Sequence, residues 1–434
     1  MRWRVLVLIA VIAALAVTGV WRFWAHRHVR ARHFVLIVID ALRPDCMGCY
    51  GNRQVVTPSI DRFAATSWVF DNARAPASWT LPSNAALFSG RYPHEVCSPD
   101  GRRLDGRTAT MAEVFRKAGY RTAAFSTHVF ISPAFGFEQG FDTLVREGTP
   151  VRLTRQAAAW LDEHRNQPYL VLVYYTGTHH PYRPPDEYRR RFARDNPTLP
   201  KVVLRGLPPN PKGMSRQVFL ESKQYAYGCY LGAAAFTDRL VGDLLPHVPP
   251  DAVVLVTSDH GEAWYEHKRA GHTSDLYDEQ VRIPAIMRLP GERPRRIATP
   301  YSNYDVMPTF LDAAGIGLPN GLVGVSWLRP NATRTIYGEL GLWQYPALGI
   351  VPPVMYYAVR GNVKVIYSAA AGRYEYLDLA RDPHEQHPVE NPGRRFREVA
   401  AELGDYAKAA GAPRSGRSIS PQLRRELGAL GYVK

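Results

Sequence analysis

Cysteine is scarce in this chain, with 4 residues among 434. Cys46 and Cys49 have the spacing of half a zinc or redox motif, but a second pair with similar spacing is absent. The sequence also lacks a zinc-finger pattern, an aromatic RNA-binding signature and a basic repeat. We therefore expect small buried cysteines, or one disulfide if the domain is exported, and no nucleic-acid partner.

Charged residues are few as well, at 21% of the chain, whereas hydrophobic residues make up 46%. This composition excludes bulk disorder and allows one large α/β domain or two domains. The formal net charge is nevertheless +15. An excess of this size favours an anionic partner, although a solvated basic surface explains it equally well.

One stretch is long enough to compare with a membrane span. Residues 5–20 carry no charge, and the apolar character continues through Trp21, Phe23 and Trp24. No clean small-x-small cleavage site follows directly, so we predict that residues 1–32 form a retained membrane anchor rather than a removed signal. Basic residues are more numerous after the run than before it, so the positive-inside rule alone would place the rest of the chain in the cytoplasm.

Strand-like and helix-like segments alternate after this stretch. The run from His33 to Asp40 is apolar between its ends, as expected for a strand buried on both faces. Further strands are predicted at 121–127, 169–176 and 252–257, and helices at 111–119, 154–165 and 219–247. This alternation predicts an α/β fold with a mainly parallel central sheet flanked by helices.

The pattern changes from about Thr335. Tyrosine-rich, β-like stretches at 358–367 and 374–379 precede helical segments at 396–409 and 421–430. They predict a smaller α+β unit packed on the main sheet. We therefore divide the chain into an amino-terminal segment (1–32), a main domain (33–330) and a carboxy-terminal subdomain (331–434).

Polar side chains follow several predicted strands. Asp40, His179 and the pair Asp259 and His260 each lie just beyond the carboxyl end of a strand, the edge where open α/β sheets bind ligands. Carboxylate oxygens with an imidazole nitrogen suit a divalent ion of the manganese, zinc or magnesium class, and calcium less well. A single aspartate is better explained as a turn former or helix cap, but the adjacent Asp259 and His260 favour metal binding.

Thr80 lies just before a predicted helix that runs to Phe88, since Pro82 suits a first helical turn and Gly90 ends the segment. The helix dipole and free N–H groups favour an anion at this position. A hydroxyl there could attack phosphorus or sulfur if a metal lowered its pKa. The alternative is that Thr80 only caps the helix.

Ordered motifs from about His33 to the end of the chain resemble those of the sulfatase family. They are Ile39–Asp45, Gly48–Gly51, Thr57–Asp61, Leu81–Ser83, Tyr92–His94, Thr257–Glu262, Leu276–Pro284, Tyr376–Leu379, Asp382–Glu385 and Leu430–Val433. The resemblance implies an alkaline-phosphatase-like fold with a smaller C-terminal α+β subdomain. It also implies that Asp40, Asp259 and His260 are metal ligands together with Thr80, which falls where sulfatases carry the residue that is oxidised to formylglycine.

Two histidines gain roles from the same resemblance. His179 matches a residue that assists the leaving group, and His272 matches a basic residue that contacts the ester oxygens. For both, a core histidine satisfied by the backbone is the alternative. We predict Thr80, His179 and His272 as catalytic residues, with His272 also contacting substrate.

The chain departs from the family pattern at three places. Ala41 replaces a second aspartate, Asn84 replaces an arginine, and the segment 126–128 replaces a lysine. We predict that Asn84 contacts substrate. Threonine cannot be converted to formylglycine, so none is expected. A threonine nucleophile is instead similar to the phosphoglycerol and phosphoethanolamine transferases of this superfamily.

These features predict a metal-dependent hydrolase of phosphate, phosphonate or sulfate esters that uses one divalent ion, manganese first, with zinc or calcium as alternatives. The expected partner is an anionic ester, lipid- or glycan-linked. Two alternatives stay open: a membrane-anchored phospho-headgroup transferase, and a catalytically inactive anion-binding relative. The enzyme class favours a single-pass membrane protein with its catalytic domain outside the cytoplasm, in the periplasm or the extracellular space.

Overall fold

One large mixed sheet organises the fold, and the computed structural model describes residues 31–54, 56–98, 103–195, 199, 214–329, 333–344, 351–412, 414–415 and 425. The strands are β1 His33–Ile39, β2 Trp68–Phe70, β3 Ala73–Arg74, β4 Arg121–Ser126, β5 Thr143–Arg146, β6 Tyr169–Tyr175, β7 Val253–Thr257, β8 Ala263–Trp264, β9 Ala270–Gly271, β10 Ala285–Arg288, β11 Arg295–Ile297, β12 Tyr301–Ser302, β13 Ile336–Leu340, β14 Trp343–Gln344, β15 Met355–Arg360, β16 Val363–Ser368, β17 Arg373–Asp378 and β18 Arg414–Ser415. The α-helices are α1 Pro58–Ala64, α2 Thr80–Ser89, α3 Pro93–Val96, α4 Met111–Lys117, α5 Pro150–Glu163, α6 Asp186–Phe192, α7 Arg216–Leu244, α8 Asp278–Val281, α9 Val306–Ala314 and α10 Arg394–Ala410.

The main sheet has eight strands in the order β11-β2-β10-β7-β1-β6-β4-β5. All neighbouring pairs are parallel except those of β10, which runs antiparallel to both β7 and β2. The predicted α/β fold with a mainly parallel sheet is therefore confirmed. The carboxyl ends of β7, β1 and β6, three adjacent strands, meet at one edge.

Side chains of β1 alternate between two apolar cores because successive residues of a strand point to opposite faces. Phe34, Leu36 and Val38 pack on the side that holds α2, α4 and α9. Val35, Ile37 and Ile39 pack on the side that holds α1, α5 and α7. Helices thus cover both faces, and the near-continuous apolar sequence of β1 is explained. All four cysteines are free thiols, and three of them are buried.

The carboxy-terminal subdomain contains a four-stranded antiparallel sheet in the order β13-β15-β16-β17. Helix α10 covers it through Phe396, Val399 and Leu403. The predicted β-like stretches and the predicted helix at 396–409 correspond to these elements, whereas the predicted helix at 421–430 falls almost wholly outside the described residues.

The predicted localisation as a single-pass membrane protein is contradicted. In the described ranges, no helix is long and apolar enough to cross a membrane. The longest of these helices, α7, has 29 residues but carries charged side chains along its length, including Glu221, Lys223, Asp238 and Arg239. The apolar run at 5–20 on which the prediction was based lies outside the described residues.

Candidate active site

The predicted site residues meet at the edge formed by β7, β1 and β6. Asp40 directly follows β1, Asp259 follows β7 by two residues, and His179 follows β6 by four. Thr80 is the first residue of α2. The side chains of Asp40, Thr80 and Asp259 are fully buried. Segments that are far apart in the sequence therefore place their polar side chains in one buried site.

Three of these residues form a tight cluster. One ligand atom each from Asp40, Asp259 and His260 lies within 4.8 Å of the others. His260 Nε2 is 3.4 Å from Asp40 Oδ1, 3.6 Å from Asp259 Oδ2 and 3.3 Å from Thr80 Oγ1. Two carboxylates, one imidazole and one hydroxyl thus converge on the same small volume.

The hydrogen bonding of this cluster fits a divalent cation. Both carboxylate oxygens of Asp40 are buried and accept no hydrogen bond from the described residues. Burial, and then the neighbouring charge of Asp259, raises the pKa of Asp40 well above its ordinary value. His260 donates its Nδ1 hydrogen to the carbonyl oxygen of Gly261 at 2.8 Å, so Nε2 keeps a lone pair. A cation bound by these groups would offset the repulsion between the carboxylates.

Helix α2 fixes the position of Thr80. Trp79 before it has extended backbone, Pro82 occupies the first turn, and Gly90 ends the helix with a φ of +67°, in the left-handed region that glycine enters readily. Ser83 Oγ donates to the carbonyl oxygen of Asp259 at 2.5 Å, which ties the helix to the segment after β7. The helix and its hydrogen bond to the segment after β7 therefore fix the position of Thr80.

Asn84 sits one helical turn beyond Thr80, where its Nδ2 lies 2.9 Å from the Thr80 carbonyl oxygen and 3.3 Å from Asp259 Oδ2. The side chain is fully buried. The amide hydrogens of Asn84 are directed at acceptors within the protein. The contact of Asn84 with substrate stays a prediction.

The two predicted histidines lie beside the cluster. The ring centroid of His272 is 4.9 Å from that of His179 and 4.5 Å from that of His260. His272 Nδ1 is hydrogen-bonded to Glu262 Oε1 at 3.0 Å, and His179 Nδ1 donates to the carbonyl oxygen of His180. Burial, and then the nearby charges of His272, His128 and His260, lowers the pKa of His179 well below its ordinary value.

His128, which was noted in the sequence only as part of a replaced segment, is also at the site. Its Nδ1 accepts a hydrogen bond from the backbone N–H of Phe130 at 2.9 Å, so the ring hydrogen is on Nε2. That nitrogen lies 3.2 Å from Asp40 Oδ2. Burial lowers the pKa of His128 to about 3. With its hydrogen on Nε2, the neutral ring of His128 has no lone pair to offer a cation, although it lies close enough to Asp40 and His179 for a ligand set.

Tyr174 was not predicted. Its hydroxyl donates to Asp259 Oδ2 at 2.6 Å and is therefore one of the partners that orient this carboxylate. The residue lies inside an apolar strand, so no local pattern distinguishes it from core tyrosines. The position of His128, two residues after β4, could have been found from the strand-end rule.

Replacing Tyr174 by phenylalanine should weaken divalent-ion binding about 10- to 100-fold, the usual effect of losing a hydrogen bond that orients a metal ligand. Equilibrium dialysis with Mn²⁺ measures this. Tyr175→Phe is the matched control, because Tyr175 is equally buried in the same strand and loses a hydroxyl bonded to Thr154 at 2.9 Å on the opposite face. Equal Mn²⁺ affinities in the two variants would contradict the role of Tyr174.

Comparisons with known proteins agree with this architecture. The sulfatase family model matches residues 32–316, and the model described as N-sulphoglucosamine sulphohydrolase, C-terminal, matches residues 261–409. The uncharacterized sulfatase YidJ of Escherichia coli (strain K12) is 25% identical over 436 residues, covering 86% of this chain and 86% of that protein.

Two solved structures share the fold. The structure of BT4656 in complex with its substrate D-glucosamine-2-N,6-O-disulfate has a TM-score of 0.72 and 20% identity, covering 88% of this chain and 98% of that chain. The phosphonate monoester hydrolase of Agrobacterium radiobacter has a TM-score of 0.67 and 20% identity, covering 87% of this chain and 94% of that chain. With the family model matching well over half of its length, the chain belongs to the sulfatase family of ester hydrolases.

Proposed function

We propose that this protein is a metal-dependent hydrolase of anionic esters in which Thr80 is the nucleophile. The observation that carries the proposal is the position of the Thr80 hydroxyl, 3.3 Å from His260 Nε2 and at the first residue of a ten-residue helix. The N–H groups and dipole of that helix favour a negatively charged phosphoryl or sulfuryl group beside the hydroxyl.

Asp40, Asp259, His260 and Thr80 would hold one divalent ion, for which manganese is our first choice and zinc and calcium are alternatives. When bound, such an ion lowers the pKa of the threonine hydroxyl and polarises the ester oxygens. His272, held by Glu262, contacts the ester oxygens and stabilises their developing charge. His179 assists the departure of the leaving-group oxygen.

The chemistry of Thr80 favours phosphorus over sulfur. A formylglycine hydrate has a second hydroxyl that can expel sulfate from the enzyme, and threonine has none. A sulfated threonine would have to be cleared by attack of water at sulfur, whereas a phosphorylated one is open to in-line attack of water at phosphorus. We therefore propose phosphonate monoesters or phosphodiesters as the preferred ester class. A glycan-linked ester agrees with the sulfated-sugar substrate of one structural neighbour.

The test uses p-nitrophenyl esters that differ only in the group transferred: phenylphosphonate, phosphodiester and sulfate, each with purified protein and Mn²⁺. We expect kcat/KM for a phosphorus ester to exceed that for the sulfate at least about 10-fold, which corresponds to about 1.4 kcal/mol of transition-state stabilisation. Faster sulfate turnover would contradict the ester class. An absence of turnover on all three would favour the inactive, anion-binding alternative.

A further inference from the structure

One buried hydroxyl in the segment just before α2 is not satisfied by the described part of the chain. The side chain of Ser78 is fully buried, and its Oγ has no hydrogen-bond partner among the residues that the structure describes. The next two serines, Ser83 and Ser89, both donate to backbone carbonyl oxygens, at 2.5 and 2.6 Å. A buried hydroxyl without a partner lowers the stability of the folded state, and either a bound water or a ligand can supply the partner.

The backbone between Ser78 and Thr80 turns their side chains to the same side. Trp79 has an extended backbone, with φ −163° and ψ 164°. Its ring packs in the apolar core, where its centroid is 6.4 Å from that of Phe130. Successive side chains point to opposite sides of an extended segment, so Ser78 and Thr80 both face away from this core. Their Cα atoms, two residues apart, are separated by at most about 7.6 Å.

A backbone hydrogen bond joins Ser78 to the segment that carries His272. The N–H of Thr273, which directly follows His272, donates to the Ser78 carbonyl oxygen at 3.0 Å. Thr273 has a φ of +66°, which residues other than glycine seldom adopt, so the surrounding structure holds this junction in one conformation. Ser78 is thus fixed both to the residue predicted to attack the ester and to the histidine predicted to contact the ester oxygens.

Hydrogen-bond donors are useful at this place during the proposed reaction. Negative charge on the transferring phosphoryl or sulfuryl group is spread over its non-bridging oxygens, and donors aimed at them stabilise the transition state. The amino end of α2, which begins at Thr80, supplies N–H groups and the positive end of the helix dipole. The Ser78 hydroxyl adds a neutral donor whose hydrogen can rotate towards such an oxygen.

We propose that Ser78 is a further substrate-binding residue, whose hydroxyl donates a hydrogen bond to a non-bridging oxygen of the transferring group. The proposal rests on the proposed function for the position of that group beside Thr80. The hydroxyl keeps its proton throughout, and no bond to Ser78 forms or breaks. Because the contact strengthens as charge develops on the oxygens, it contributes to kcat as well as to ground-state binding.

The test is Ser78→Ala, with binding of inorganic phosphate to the Mn²⁺-loaded protein measured by isothermal titration calorimetry. We expect the Kd to rise at least about 10-fold, which is about 1.4 kcal/mol of binding free energy. The kcat/KM for the p-nitrophenyl ester of phenylphosphonate should fall by at least the same factor. Without phosphate, the unfolding temperature should equal that of the wild type or exceed it, because the variant removes a buried hydroxyl that has no partner.

Ser89→Ala is the matched control, since Ser89 is a buried serine at the other end of the same helix with its hydroxyl bonded to Ala85. We expect it to bind phosphate with the Kd of the wild type. An unchanged Kd in Ser78→Ala, or an equal rise in both variants, would overturn the proposal.

The unfolding temperature separates a ligand contact from a structural one. A lower unfolding temperature of Ser78→Ala would also overturn the proposal, because it would show that the hydroxyl binds a structural water or another part of the chain. A wild type that binds no phosphate would refute both this role and the proposed function. A wild type that binds phosphate but hydrolyses no ester, with the Kd raised only in Ser78→Ala, would refute the proposed function and keep the role of Ser78 in binding the anion.

Discussion

Replacing Thr80 by alanine should lower kcat for the preferred ester by about 10³-fold or more, since removing a nucleophile in other enzymes costs at least that order. The hydroxyl is fully buried and lies 3.3 Å from His260 Nε2, so no solvent-exposed group can take its place without rearrangement. The helix should still form, because its start and end depend on Pro82 and Gly90 rather than on the threonine side chain. Single-turnover kinetics with a p-nitrophenyl ester measures the loss.

Thr80→Ser is the matched control, because it keeps the hydroxyl and removes one buried methyl group. We expect it to retain activity within about 10-fold, at a stability cost of about 1 kcal/mol for the lost methyl group. Circular dichroism and thermal unfolding of both variants separate catalytic loss from unfolding. Unimpaired turnover by Thr80→Ala would refute the role of the residue, whereas fast sulfate turnover that depends on Thr80 would refute only the ester class.

The centre of the sheet could be predicted from the sequence because β1, β6 and β7 are buried on both faces and read as apolar runs. The run 33–39 is an example, and its residues divide between two cores. The strand-end rule places Asp40, His179 and Asp259 at one edge, and the structure has them there. The helix bounds predicted from Pro82 and Gly90 agree with those of α2 to within two residues. Thr80 was predicted just before the helix, whereas it is the first residue of α2.

Residues that act through long-range contacts could not be predicted. Tyr174 is one tyrosine in an apolar strand, and only the folded chain shows its hydroxyl bonded to Asp259, 85 positions away. Lys364 is similar: it is fully buried in β16, and its Nζ lies 2.7 Å from a carboxylate oxygen of Asp278 and 2.7 Å from one of Glu385. The two carboxylates offset the cost of burying this cation. The local sequence pattern does not show that these three residues are in contact.

Replacing Asp259 by asparagine should abolish tight binding of a divalent ion and lower turnover at least about 100-fold, because an isosteric amide removes one of the two negative charges that face the ion. Asp259 accepts hydrogen bonds from Tyr174 at 2.6 Å and from the backbone N–H of Ala41 at 3.2 Å, so it is held in a single orientation. The amide keeps the shape of the side chain, which favours retention of the fold. Metal analysis after dialysis against Mn²⁺ measures the loss directly.

Asp238→Asn provides the control for removing a buried carboxylate. Asp238 accepts backbone hydrogen bonds from Ser59 at 3.0 Å and Ile60 at 2.7 Å, and so caps α1 rather than facing the cluster. We expect this variant to keep its Mn²⁺ while losing about 1 kcal/mol of stability with the weakened cap. An ion that binds only the native state stabilises it by about 2.7 kcal/mol at 100 times its Kd. Added Mn²⁺ should therefore raise the unfolding temperature of wild type and Asp238→Asn but not of Asp259→Asn; an equal rise in all three would place the ion elsewhere.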